Sequence, residues 1–383
     1  MKIFAQLIRN GISVANSRND GLDPQRADLV LAFGAREVLE GSTIHDRLRA
    51  EYPQAQILLC STAGEIFDNN VHDEAVAVTA IDMERTELQT VCVDIVDHPN
   101  SFEAGRHLIS ALDPNGLAYV LVLSDGGSVN GSELVRGMEE ANIGKVPITG
   151  GMAGDAGRFE TTLVGLNGPP GSGRIAAVGF YGKALVVTHG SMGGWEMFGP
   201  ERTVTRATAN KLYEIDGRNA LELYKIYLGK YAEQLPGSAL LFPLSVILPG
   251  LEQPVVRTIL SIDPIDQSMV FAGDVPEGSL VRFMKANFDK IIDAATQAAQ
   301  QTFHDPLDLS PKLALLISCV GRKIILGSRV EEEVEAIADT FGENTFLTGF
   351  YSYGEISPLA RNKPCELHNQ TMTITTLDER QTN

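Results

Sequence analysis

Basic residues are scarce in this chain: 31 Lys and Arg stand against 49 Asp and Glu, a formal charge of -18 at pH 7 over 383 residues. Such a balance repels a phosphate backbone, no stretch gathers the cations into a patch, and nucleic acid is not an expected partner. Long apolar runs are missing too. The longest, 239–248, is broken by Pro243 and falls far short of the roughly 20 residues of a membrane helix, so no membrane association is expected. Residues 1–10 are too few and too polar for a signal peptide and read as a first strand. The four cysteines (Cys60, Cys92, Cys319, Cys365) form no Cys-x-x-Cys pair. That excludes the usual zinc and thioredoxin signatures and a disulfide framework, and makes a reducing cytoplasm the expected compartment.

Catalytic motifs are equally absent. Gly126-Gly127-Ser128-Val129-Asn130-Gly131-Ser132 has the glycine spacing of a phosphate loop, but Ser132 stands where the lysine should be and Glu133 would repel phosphate. Ser128 is no hydrolase elbow, because Asn130 takes the place of the second glycine. No His-Glu-x-x-His exists.

What the chain does contain is one loop type three times over. Cys60-Ser61-Thr62-Ala63-Gly64-Glu65, Gly150-Gly151-Met152-Ala153-Gly154-Asp155 and Gly349-Phe350-Tyr351-Ser352-Tyr353-Gly354-Glu355 each follow a short apolar run and end in glycine plus a carboxylate. Residues 29–65 lie over 119–155 without a gap, and a slightly longer copy runs from 313 to 355. The shared order is apolar strand, helix, apolar strand, Gly-acid loop, the order of a βαβ unit.

Around these copies the periodicity predicts a mixed-sheet α/β protein of two related domains, with the order hairpin, helix, strand, helix, strand, loop, strand at 75–188 and again at 255–377. Strands 75–81 and 87–95 read as a hairpin, as do 175–181 and 184–188 around Gly182. A helix is expected at 41–50, the longest at 280–303, and a Gly-rich irregular loop at 189–200. The domain boundary falls between Gly217 and Gly237, giving domains 1–218 and 219–383.

Small residues at strand ends admit a ligand to the backbone. Candidate contacts are therefore Gly150, Gly151, Met152 and Asp155 on the second loop, and Gly349, Tyr351, Tyr353 and Glu355 on the third. Trp195, and His368 with Asn369 before the last strand, join them. Glu65, Asp155 and Glu355 converge if the units face each other; the alternative is that each accepts hydrogen bonds from its own loop, the favoured reading for Glu65. An enzyme using Glu355 with Tyr351 or Tyr353 stays open beside a binding protein. His189 ends a strand beside the Trp195 loop, where an imidazole can either ligate haem iron or bond to the loop.

The block from Gly349 to Ile356, followed by His368-Asn369-Gln370-Thr371, resembles the signature of the FIST C domain, as does Ser318-Cys319-Val320-Gly321-Arg322. The first two Gly-acid loops, Val204-Thr205-Arg206 and Tyr213-Glu214-Ile215-Asp216-Gly217 are similar to FIST N (FIST denotes F-box and intracellular signal transduction proteins). The resemblance implies a non-enzymatic bacterial sensory module that binds a small, amino-acid-like ligand and signals through a separate protein. One branch is similar to haem proteins that sense nitric oxide and regulate a histidine kinase. For that branch His189 is the candidate iron ligand; otherwise no cofactor is expected.

Overall fold

The computed structural model describes residues 1–40, 43–303, 310–358, 360–361 and 363–380. The chain opens with the antiparallel strands β1 (Lys2–Arg9) and β2 (Ile12–Asn19), turned by Asn10 and Gly11, both at positive φ. Next come β3 (Leu29–Ala35), helices α1 (Arg36–Leu39) and α2 (Ile44–Glu51), and β4 (Gln56–Thr62), parallel to β3. Residues 41 and 42, expected to open the helix, lie outside the described residues. The short β5 (Glu65–Phe67) and β6 (Asn70–His72) precede β7 (Val76–Asp82), which sits between β1 and β3.

The pattern then recurs as β8 (Glu87–Asp94), α3 (Ser101–Ser110), β9 (Leu117–Ser124), α4 (Gly131–Ala141), β10 (Ile148–Met152), β11 (Val164–Leu166) and β12 (Arg174–Tyr181). β13 (Leu185–Met192) starts the third copy, which is interrupted by an antiparallel sheet. Its strands are β14 (Glu196–Thr208), β15 (Lys211–Ile215), β16 (Arg218–Asn219), β17 (Leu244–Ile247), β18 (Val255–Arg257), β19 (Ile259–Asp263), β20 (Ser268–Phe271) and β21 (Leu280–Lys285). Helix α5 (Ala220–Leu228) packs on it around its own core. The copy resumes with α6 (Phe288–Gln301), β22 (Leu313–Cys319), α7 (Val320–Leu326), α8 (Val330–Phe341), β23 (Phe346–Ser352), β24 (Gly354–Pro358), β25 (Cys365–His368) and β26 (Met372–Glu379).

Three six-stranded sheets result, each exchanging strands with a neighbour: β11-β4-β3-β7-β1-β2, β25-β24-β10-β9-β12-β8 and β6-β5-β23-β22-β26-β13. After each Gly-acid loop the chain leaves its own sheet and pairs in the next. β5 pairs with β23, β11 with β4, and β24 with β10. The alternation along the central strands explains the layering. Leu29, Leu31 and Phe33 of β3, Tyr119, Leu121 and Leu123 of β9, and Leu313, Leu315 and Ile317 of β22 share one core enclosed by the three sheets. The residues between them (Val30, Ala32; Val120, Val122; Ala314, Leu316) face outer layers that include α2, α3 with α4, and α6 with α8. Strands buried on both faces give the unbroken apolar runs seen in the sequence.

The mixed α/β class holds, with several differences in detail. β7 and β8 are not a hairpin: β7 pairs with β1 and β3, β8 with β12, so 83–86 crosses between sheets. Likewise β12 and β13 lie in different sheets. The strands at 255–272 belong to the inserted sheet, so the repeated order is that of three interleaved copies. Residues 280–285 are strand β21; the helix begins at Phe288, where Asn287 caps it by accepting from Lys290 N–H. Of the expected irregular loop, only 193–195 lies outside β13 and β14.

Candidate functional site

The three Gly-acid loops meet in one backbone network. Ala63 N–H donates to Tyr351 O and Tyr351 N–H to Gly64 O, both at 2.8 Å. Gly154 N–H donates to Ser61 O at 3.0 Å, and Tyr353 N–H to Met152 O at 3.1 Å. The copies therefore face each other, but their acids do not form a cluster.

Each acid serves its own loop or the adjoining strand. Glu65, fully buried, accepts from Thr62 Oγ1 at 2.5 Å and Ala75 N–H at 3.3 Å. Glu355, equally buried, repeats this with Ser352 Oγ at 2.7 Å and with Thr371 N–H and Oγ1 at 3.1 and 2.8 Å. Asp155 accepts from the N–H groups of Phe159, Glu160 and Thr161, from the Tyr353 hydroxyl, and from Arg36 Nη1 at 3.2 Å. Burial pushes the Glu65 carboxyl up to about 8 and Glu355 to about 7, against which their hydrogen bonds act only partly. At Asp155 burial also raises the pKa, but the Tyr353 hydroxyl and three amides together outweigh it and the net shift is downward.

A pH dependence follows. Glu65 and Glu355 hold their protons in the folded state at pH values where the unfolded chain has lost them. The stability this gives is fully present below about 4.5, the unfolded value, and is lost as pH rises through 7 and 8. Denaturant unfolding from pH 5 to 9 is expected to show falling stability, by about 1.4 kcal/mol per unit for each carboxyl inside its window. Glu65→Gln should flatten the upper part of that slope, and an unchanged slope would remove Glu65 as its source.

The remaining expected contacts are placed as follows. Tyr351 is fully buried, its hydroxyl donating to Glu333 Oε1 at 2.8 Å. His368 is buried against Ser357 O at 2.9 Å, with its pKa lowered to about 4 by burial, and Asn369 donates to His368 O. The His368 side chain thus ties β25 to β24, and that of Asn369 bonds within its own turn. A Cβ on Gly150 would lie 1.8 Å from Val122 O, on Gly151 2.7 Å from Ile317 Cγ2, and on Gly349 1.8 Å from Leu316 O. These glycines, and buried Met152, admit neighbouring strands rather than a ligand. Trp195 donates from Nε1 to Gln370 O at 2.9 Å and lines a separate groove with Lys285 and Lys290. His189 is half-buried on β13 beside another cleft. The glycine segment after β9 is closed to anions: Asp125 Oδ1 itself accepts from Gly127 and Ser128 N–H, at 2.9 and 2.6 Å.

A cavity of about 820 Å³ does open where the copies converge, at the carboxyl ends of β3 and β4. Thr62–Glu65 and Glu37 come from the first copy, Ala156 and Arg158 from the second, and Val320, Lys323 and Ile324 on α7 from the third. Asp73 pairs with Lys323, which also donates to Ala63 O at 2.9 Å; Arg158 pairs with Glu37 at 2.5 Å. Beside it, Asp155 holds Arg36 and Tyr353 together, and the Tyr353 ring stacks on Phe159 at 4.4 Å. Of the expected contacts, Asp155 and Tyr353 thus adjoin this cleft. The sequence reading missed Arg36, Arg158, Lys323 and Asp73. Arg36 and Lys323 had a signal: each sits at, or within one turn of, the carboxyl end of a central strand, where open α/β sheets bind ligands.

Comparison with known proteins adds the lineage. The FIST N domain model matches residues 28–218 and the FIST C domain model residues 220–358. The chain belongs to the FIST family. FIST domains are sensory domains of signal transduction. No curated protein matches this FIST protein significantly. Among solved structures it is similar to a cyanuric acid hydrolase from A. caulinodans (9% identity, 99% of each chain covered, TM-score 0.38) and to a second cyanuric acid hydrolase structure (9%, 99% of each chain, TM-score 0.36). PurLQS from Thermotoga maritima matches at 7% identity over 83% of this chain and 74% of the other, with a TM-score of 0.21. None of these superpositions is close enough to carry chemistry across.

Proposed function

We propose that this FIST protein is a non-enzymatic cytoplasmic sensor of a small zwitterionic ligand of the amino-acid class, bound at the carboxyl ends of β3 and β4 and signalling to a separate protein. One observation carries the reading: the 820 Å³ cavity is lined by Thr62–Glu65 and Arg158 from the FIST N match and by Val320 and Lys323 from the FIST C match. It pairs cations with carboxylates, the complement of a zwitterion, and its volume suits a small molecule. A ligand touching both matched regions stabilises their docked arrangement over any looser one.

Thermal unfolding against an amino-acid panel tests this. A true ligand at about a hundredfold excess over Kd adds about 2.7 kcal/mol of stability. Lys323→Met and Arg158→Ala should each remove most of that shift; Arg158 is partly exposed, so its variant keeps the test clear of folding defects. A shift retained in both variants would place the ligand elsewhere.

Two other readings fare worse. An enzyme working through Glu355, with Tyr351 or Tyr353, has no route for substrate to that carboxyl, which is fully buried and engaged by Ser352 and Thr371. Haem at His189 is the weaker reading. The cleft beside it is mixed, with Val146, Pro147, Leu185 and Val187 standing among Lys145, Arg361, Lys363 and Arg380, whereas cofactor sites are lined predominantly by apolar groups.

A further inference from the structure

The cleft beside His189 has a different use. In the order of the three sheets, β1, β8 and β13 hold equivalent positions, each being the strand that flanks β7, β12 or β26. In the first sheet that position carries one more strand, because β2 pairs antiparallel with the outer edge of β1. Among the described residues the third sheet ends at β13, which pairs with β26 and with no other strand. Ser191 N–H donates away from β26, to Gln301 Oε1 at 3.0 Å. By the two-residue period of a strand, the main-chain groups of Leu185 and Val187 point the same way.

An edge left like this is normally guarded by charge. β8 carries Glu87 and Asp94 at its ends, whereas β13 reads Leu-Val-Val-Thr-His-Gly-Ser-Met, without a formal charge. A cleft of about 870 Å³ runs along it, lined by every residue from Leu185 to Ser191, a length of roughly 23 Å at 3.3 Å per residue. The facing walls bring Lys145, Arg361, Lys363 and Arg380, with Glu139 the one carboxylate among the described lining residues. Four cations against one anion is the reverse of the chain's overall balance of -18.

We propose that β13 is the docking edge for an extended, acidic segment of a partner protein, which adds a strand to the third sheet as β2 does to the first. Main-chain hydrogen bonds to Leu185 and Val187 give affinity, and the cationic walls select acidic side chains.

The test uses the full chain and fluorescein-labelled peptides alternating valine with glutamate, or valine with lysine. The acidic peptide should bind, more weakly as salt rises, and should slow amide hydrogen exchange across Leu185–Ser191. Val187→Pro removes an outward N–H without touching the ladder to β26, and should weaken binding about tenfold, the order of one hydrogen bond. Should that variant unfold, Arg361→Glu with Lys363→Glu, on exposed side chains, carries the test with an equal or larger loss. Four results would overturn the proposal: no binding, equal binding of both peptides, displacement by inorganic phosphate with Val187→Pro at full affinity (a small-anion site), or peptide-independent self-association abolished by Val187→Pro (a second copy as occupant).

Discussion

Replacing Arg322 by methionine is expected to destabilise the protein by about 3–5 kcal/mol, the usual cost of stripping one partner from a buried ion pair. Arg322 and Glu333 are both fully buried and meet at 2.7 and 3.0 Å. The guanidinium also donates to Gly193 O at 2.7 Å and Ile291 O at 2.8 Å, tying α7 to α6 and to the turn after β13. Glu333 further accepts from Tyr351 Oη and Ser318 Oγ. Methionine matches much of the stem but strips the guanidinium from Glu333 Oε2 and from two carbonyls, leaving the buried carboxylate without its counter-charge. A guanidinium chloride titration should show a lower midpoint with an unchanged slope. Adding Glu333→Leu should recover part of the loss, because two apolar groups can replace a buried pair that one cannot. A single-variant cost under about 1 kcal/mol would mean the pair is not the clamp its contacts describe. The adjacent Lys323 reaches the proposed ligand cleft from the same helix, so the inward clamp fixes the outward contact.

The repeat was legible because it is written in local pattern. Strands β3, β9 and β22 alternate between two buried faces, and each copy ends in the same small-residue loop and carboxylate. Pairing was not legible. Asp82-Met83-Glu84-Arg85-Thr86 and Gly182 have the chemistry of turns, and turn chemistry reports that the chain reverses without saying which strand receives it. The receiver is set by the common core, where Phe33 meets Phe350 across the sequence at 4.9 Å. Strand β21 reads as helix because Phe283 joins Phe288, Ile291, Ile292 and Ala295 in one apolar series, although Val281 and Phe283 are buried at the two-residue period of a strand. The site was half legible for a similar reason. Glu65, Asp155 and Glu355 were found as a pattern, but a carboxylate bonded to its own loop and one aimed at a ligand look alike in sequence. The cations that distinguish the cleft come from α1, α7 and the segment after β10, which only the fold brings together.

Gly150→Ala decides between the two meanings a strand glycine can have. Gly150 lies at φ 156° in β10, parallel to β9, and a Cβ there would sit 1.8 Å from Val122 O and 2.8 Å from Val122 C. The obstacle is backbone in a central strand, which cannot rotate aside. Overpacking of about 1–3 kcal/mol adds to backbone strain of about 1–3 kcal/mol, so a loss of about 2–6 kcal/mol is expected in denaturant unfolding. Gly349→Ala meets Leu316 O at 1.8 Å without a positive φ and should cost about 1–3 kcal/mol, from overpacking alone. Gly157→Ala is the control: it meets only Ile324 Cδ1 at 3.9 Å, and its stability should stay within about 0.5 kcal/mol of wild type. Gly64→Ala falls between: its φ of 141° strains any side chain, but the atom nearest its Cβ is the Lys323 Nζ at 2.4 Å, the end of a flexible chain. That variant should keep more stability than Gly150→Ala while displacing Lys323 and losing the amino-acid thermal shift. If Gly150→Ala instead folded normally and lost ligand response, close approach of a ligand to β10 would be the correct account, and the cleft beside Lys323 would not be the site.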